Sequence, residues 1–198
     1  MLVREVKEYA KEIKQVGLAQ FSLAPPPPIC PRLPPQKGWY KINTDGAVFS
    51  EASCYGIGVV IRNERGLLMG PMSKKIDVQL GAVEVEARAM EEGVLLAWDL
   101  GLKKIVIESD SQSVVNALGT PSLSPSRIVK VVEGTWMELS CFDKWDISHT
   151  RRSGNSAAHV MARYAKLASN CIIWVENSPP LIAAHVQHDV LCLNSSSV

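Results

Sequence analysis

From Gly38 onward, apolar and polar residues first alternate in short runs and then recur at helical spacing. Trp39 to Asp45 (WYKINTD) has the two-residue period of a strand, and Gly46 predicts a turn that closes it. Tyr55 to Arg62 (YGIGVVIR) predicts a second strand. Asn63-Glu64-Arg65-Gly66 then supply turn chemistry for a hairpin into Leu67 and beyond. Between Ala82 and Leu100, the residues Val83, Ala87, Met90, Val94 and Ala97 recur at four, three, four and three, one stripe of a helix that Gly101 would end. Lys104 to Glu108 (KIVIE) reads as a short buried strand, and Ser109-Asp110-Ser111 can cap a helix over Gln112 to Leu118. Pro125 opens a further helix towards Leu139, Trp145 to Thr150 is a last strand, and Ser156 to Ala168 a last helix. A strand meander followed by strand–helix units predicts an α/β fold, a mixed sheet flanked by helices.

The ends of the chain have a different texture. Residues 1–22 carry Leu2, Val6, Tyr9, Ile13 and Val16 on one stripe, an amphipathic helix. Seven of the twelve prolines lie between Pro25 and Pro35, so residues 23–37 read as an extended, semi-rigid linker. The helix and the proline segment are the places where a protein partner would bind. The folded domain is expected over 38–168, and a loosely structured tail over 169–198. In that tail His185, His188 and Cys192 match metal ligation only weakly.

Composition narrows the class. With 46% hydrophobic residues the chain can bury a core, which excludes general disorder. A formal net charge of +1 means that any nucleic-acid contact must rest on local rather than global charge. Five cysteines without a Cys-x-x-Cys pair read as free thiols of a reducing compartment. The charged N-terminus does not resemble a signal peptide and no apolar run reaches membrane-spanning length. The expectation is therefore an intracellular, nuclear or cytoplasmic monomer without membrane contact.

Three acids stand where chemistry could collect. Asp45 and Asp110 each follow a strand, and ligands in open α/β sheets gather outside strand ends. Glu86 falls on the apolar side of its helix, whereas Glu84, Arg88, Glu91 and Glu92 fall on the solvated side. A lone buried carboxylate is costly unless paired or bound to a metal. Each has a plain alternative: Asp45 suits a turn, Asp110 suits a helix cap, and Glu86 can snorkel past the sheet edge.

Taken in order, KINTDGA (Lys41 to Ala47), YGIGVVIRNERG (Tyr55 to Gly66), the run from Glu84 to Leu118 and RRSGNSAAHVMARYA (Arg151 to Ala165) resemble a type 1 ribonuclease H domain. They are similar, more narrowly, to the plant ribonuclease H-like proteins related to reverse transcriptases of non-LTR retrotransposons. The resemblance spans roughly residues 38–168, about two thirds of the chain. It implies a ribonuclease H-like fold with a five-stranded mixed sheet in the order 3-2-1-4-5. It also implies hydrolysis of the RNA strand of RNA–DNA hybrids with two Mg²⁺ ions, Mn²⁺ being an alternative. Asp45, Glu86 and Asp110 would be the catalytic metal ligands, with Asp45 bridging the ions.

The family's closing motif, Asn-x-x-Ala-Asp, reads Asn155-Ser156-Ala157-Ala158-His159 here, so His159 takes the place of a fourth acid. An imidazole can ligate a metal but adds no negative charge and prefers softer ions than Mg²⁺. The expectation is a catalytic and metal-ligating His159 with reduced activity. The alternative is a retroelement-derived module that binds hybrids without cutting them. Arg151, Arg152 and Asn155 are candidates for substrate binding. Lys74, Lys75, Lys103 and Lys104 read as surface charge, and Trp136 and Trp145 as core.

Overall fold

A computed structural model describes residues 34–168, 170–174, 179 and 181–183. The amphipathic N-terminal helix, most of the proline-rich linker and the His185–His188–Cys192 cluster lie outside the described residues.

The strands are β1 (Tyr40–Phe49), β2 (Cys54–Arg62), β3 (Met72–Ile76), β4 (Lys104–Ser109), β5 (Lys144–His149) and β6 (Cys171–Ile173). The helices are α1 (Ala82–Asp99), α2 (Gln112–Gly119), α3 (Val129–Leu139) and α4 (Ser156–Tyr164). They build one mixed sheet in the order β5-β4-β1-β2-β3-β6. β1 runs antiparallel to β2 and parallel to β4, and β4 runs parallel to β5. Its first five strands have the 3-2-1-4-5 order; the sixth is an addition at the β3 edge.

Every residue of β2 is buried, because helices cover the sheet on both sides there. On one side, Ile42, Ile57, Val59, Ile61, Ile105 and Ile107 pack with Met90 and Val94 of α1 in the main core. Gly93 brings α1 close, since a Cβ there would lie 2.6 Å from the Thr44 methyl. On the other side, Ala158 and Ala162 of α4 sit directly over Gly58, where a side chain would meet the backbone of both. Small residues on both surfaces thus set how deep α4 lies.

Several local expectations change. β1 does not stop at Gly46 but continues to Phe49, with Asp45 paired to Gly58 and Gly46 to Ile57. The glycine serves a close approach: a Cβ on Gly46 would be 2.7 Å from Val85 Cγ1 and 3.0 Å from the Glu86 nitrogen. In α1 the buried stripe begins at Val85, and Val83 is exposed. α1 ends as expected, with Gly101 at φ +72° and the amide N–H groups of Gly101 and Leu102 donating to the carbonyls of Trp98 and Ala97. The turn after β2 forms with Asn63 Oδ1 accepting from the amides of Arg65 and Leu67, both at 3.0 Å. An isolated bridge joins Arg62 to Leu68, with the Met69 N–H donating to the Ile61 carbonyl, and the strand β3 begins at Met72, after Pro71, which has no N–H to give.

Pro125 forms a turn with Ile128 instead of opening a helix, and α3 starts at Val129. Trp136 is half-exposed rather than core, held by its Nε1–H to the Leu118 carbonyl at 2.8 Å and edge-on to Trp145. Beyond Ala168 the described residues add one strand to the sheet. β6 pairs with β3, and Ile182 is fully buried against Val60, Ala157, Ala158 and Met161. No helix among the described residues is long and apolar enough to cross a membrane.

Candidate metal centre

Three elements deliver three carboxylates to one place. Asp45 lies within β1 and is buried, Glu86 sits in α1 above Gly46, and Asp110 follows the last residue of β4. One oxygen from each lies within 4.8 Å of the others. The missing side chain of Gly46 is what lets the start of α1 descend far enough for Glu86 to join. Glu84 takes no part, because its carboxylate accepts the Gly81 N–H at 2.7 Å and caps the helix. Asp110 does not cap α2 either; Ser111 occupies that position.

Asn155 ties the acids together. Its Nδ2 donates to the Thr44 carbonyl and to Asp110 Oδ1, each at 2.8 Å, and lies 3.5 Å from Asp45 Oδ1. Only 1% of Asn155 is exposed, and its amide nitrogen faces the carboxylates. One turn later on the same helical face, His159 places Nδ1 3.0 Å from Asp45 Oδ2. His159 therefore is no bystander on the helix surface. It stands on the Asp45 side of the cluster, outside the group of three acids.

The electrostatics follow from crowding. Burial pushes the Asp45 carboxyl above its usual range; the His159 contact opposes this and the Asp110 charge adds to it. Burial also pushes Glu86 up, to about 8, helped by the charges of Asp45 and Asp110 and opposed by the Gly46 N–H and Arg152. Glu86 Oε2 is buried with no hydrogen-bond partner among the described residues. An orphaned acceptor beside two further carboxylates leaves room for a cation, and the all-oxygen donor set suits a hard divalent ion.

The remaining candidates are peripheral. Arg152 lies in the short turn before α4, close enough for its charge to favour ionised Glu86, and Arg151 is exposed. His149, at the end of β5, places Nε2 3.3 Å from the Asp110 carbonyl. Lys74 and Lys75 are paired with Glu92 and Asp77, and Lys103 lies over the Trp98 ring. The sequence reading missed the tie from Asn155 to Asp45 and Asp110. The four-residue spacing of Asn155 and His159, which aligns both on one helical face, was the signal that could have found it.

Sheet order and helix placement define a ribonuclease H-like fold, and the three acids sit at the sheet's centre. Among solved structures, ribonuclease H1 from the halophilic archaeon Halobacterium salinarum NRC-1 superposes with a TM-score of 0.60 at 23% identity, covering 65% of this chain and 97% of that one. LC11-RNase H1, solved in complex with an RNA/DNA hybrid, superposes with a TM-score of 0.58 at 19% identity, covering 65% and 99%. A family profile described as reverse transcriptase-like matches residues 43–165, and the chain belongs to that family. Along the sequence it is 28% identical over 170 residues to the Arabidopsis thaliana protein named "Putative ribonuclease H protein At1g65750". That match takes in 82% of this chain but only 27% of the longer plant protein.

Proposed function

We propose that this domain hydrolyses the RNA strand of RNA–DNA hybrids, using divalent metal held by Asp45, Glu86 and Asp110. The observation that carries the proposal is the convergence of three carboxylates within 4.8 Å around an unpartnered buried oxygen of Glu86. Without a cation, burial and the charges of Asp45 and Asp110 disfavour the ionised form of Glu86. A divalent cation is the matching counter-charge, with Mg²⁺ favoured by the oxygen donors and Mn²⁺ a close substitute. When bound, such an ion supplies Lewis acidity at a phosphodiester and lowers the pKa of an attacking water.

The protein's own groups prepare that site. Asn155 holds Asp110 and, more distantly, Asp45 against their mutual repulsion, and fixes both to the β1 backbone. Arg152 lies close enough to the acids for its charge to reach Glu86, and with the preceding Arg151 it would meet the backbone phosphates of a bound strand. Choice of RNA over DNA would rest on 2′-hydroxyl contacts in the shallow minor groove of the hybrid. The names of the plant relative and of the structural neighbours support the same reading.

The test is cleavage of a labelled hybrid by the purified chain with Mg²⁺ or Mn²⁺. Asp45→Asn should leave below ~1% of wild-type turnover, in line with losing a charged group at the reacting centre. Turnover that persists in EDTA and in that variant would remove the proposal. A second reading, hybrid binding without cleavage, is favoured by one observation: the imidazole of His159 sits against Asp45 where the family pattern has an acid. It predicts salt-sensitive hybrid binding with no turnover in either metal.

A further inference from the structure

The oxygens of Asp45 do not have equivalent surroundings. Oδ1 faces Asn155, on the side of Asp110, with the Asn155 nitrogen 3.5 Å away. Oδ2 has His159 Nδ1 at 3.0 Å. When Asp45 is ionised, that contact requires the ring to carry its proton on Nδ1 and to donate it. His159 is also set by its helix. α4 rests on Gly58 through Ala158 and Ala162, and Asn155 one turn earlier is hydrogen-bonded to β1. Its ring is thus delivered to Asp45 by a close-packed backbone rather than by a flexible loop.

A carboxylate that bridges two cations through both its oxygens offers one to each. Here Oδ2 already has the His159 ring nitrogen at 3.0 Å, and among the described residues no third ligating side chain joins Asp45 and His159 in a group that could hold an ion. One oxygen from each of the three acids lies within 4.8 Å of the others, and His159 is not in that group. We infer that the centre holds one divalent cation instead of two, with the His159 N–H donating to Asp45 in place of the second cation. The inference rests on the nuclease reading for the identity of the ligands, but it concerns stoichiometry, which can be measured without substrate.

Chemically the exchange is coherent. An N–H donor relieves part of the charge on Asp45 and fixes the carboxylate's rotation, both of which a cation would also do. It brings no Lewis acidity, so one end of the phosphodiester would lack a metal. His159 is accordingly a positioning residue here, acting through Asp45.

The experiment counts ions on the intact chain. Mn²⁺ alone is titrated and the free ion followed by electron paramagnetic resonance, with Mg²⁺ titrated by calorimetry. The wild type should bind one ion, and His159→Asp, which removes the donor and adds a carboxylate, should bind two. His159→Ala should remain at one, because it opens the oxygen but supplies no ligand; far-UV circular dichroism checks that each variant is folded. Two ions of comparable affinity in the wild type would overturn the inference, as would two in His159→Ala. A folded His159→Asp that still binds one would overturn it as well. The nuclease reading fails separately: one bound ion without hybrid cleavage removes that reading and leaves the count intact. No bound ion removes both.

Discussion

Replacing Glu86 with Gln should make the cation-free protein more stable at alkaline pH, by an amount that shrinks as pH falls. Glu86 titrates near 4.5 in the unfolded chain and at about 8 in the folded one, chiefly because it is buried beside Asp45 and Asp110. A raised value means that the folded protein keeps a proton which the unfolded chain has released. This group's contribution to stability is therefore largest below 4.5 and is lost as pH rises to about 8. At about 1.4 kcal/mol per pH unit, discounted because solvent reaches part of the half-buried side chain, the loss is roughly 2–4 kcal/mol. Gln cannot ionise, so the variant escapes it.

The assay is urea denaturation of both proteins in EDTA at about pH 5 and about pH 8.5, with the stability difference taken at each. The variant's advantage should grow by roughly 2–4 kcal/mol between the two. Saturating Mg²⁺ at the higher pH should then favour the wild type, since an ion at 100 times its Kd adds about 2.7 kcal/mol to whichever protein binds it. A difference that stays constant across the window, or that widens toward acid, would refute the crowding argument.

Other substitutions probe the supports of the site. Asn155→Ala should cost about 1–3 kcal/mol by taking the donor from Asp110 and from the Thr44 carbonyl, and should weaken Mn²⁺ binding by calorimetry; unchanged ion affinity would show a purely structural role. Gly58→Ala should lift α4 off β2, at ~1–3 kcal/mol in a denaturation curve, and should lengthen the His159–Asp45 contact in a crystal structure of the variant. Arg152→Ala should raise KM for the hybrid with little change in kcat, and lower the salt slope of hybrid binding by about one unit; an unchanged slope would place its guanidinium away from phosphate.

The elements were largely legible because their signals are local. Apolar periodicity marked α1 and the strands, and a helical wheel singled out Glu86 over Glu84. Gly46 misled, since a glycine after a strand reads as a turn. The actual reason, room for the first turns of α1, involves residues forty positions away. β6 was missed because three residues carry no period, and their pairing depends on the free edge of β3. Asn155 could be marked as part of a motif, but its partners lie 45 to 111 residues distant, so its donor role was out of reach of a linear reading.

What the chain alone determined was the inventory: which segments are helix or strand, that three acids lie at strand or helix positions with poor solvation, and that a histidine stands where an acid was expected. These follow from short-range sterics and from the side chains themselves. Only the packed sheet decided how the inventory is used. The depth of α4 on Gly58 and of α1 on Gly46 sets distances to within an ångström, and at that scale a ring nitrogen either touches Asp45 or does not. Contact at that scale arises from close packing between elements far apart in sequence, which no local pattern encodes.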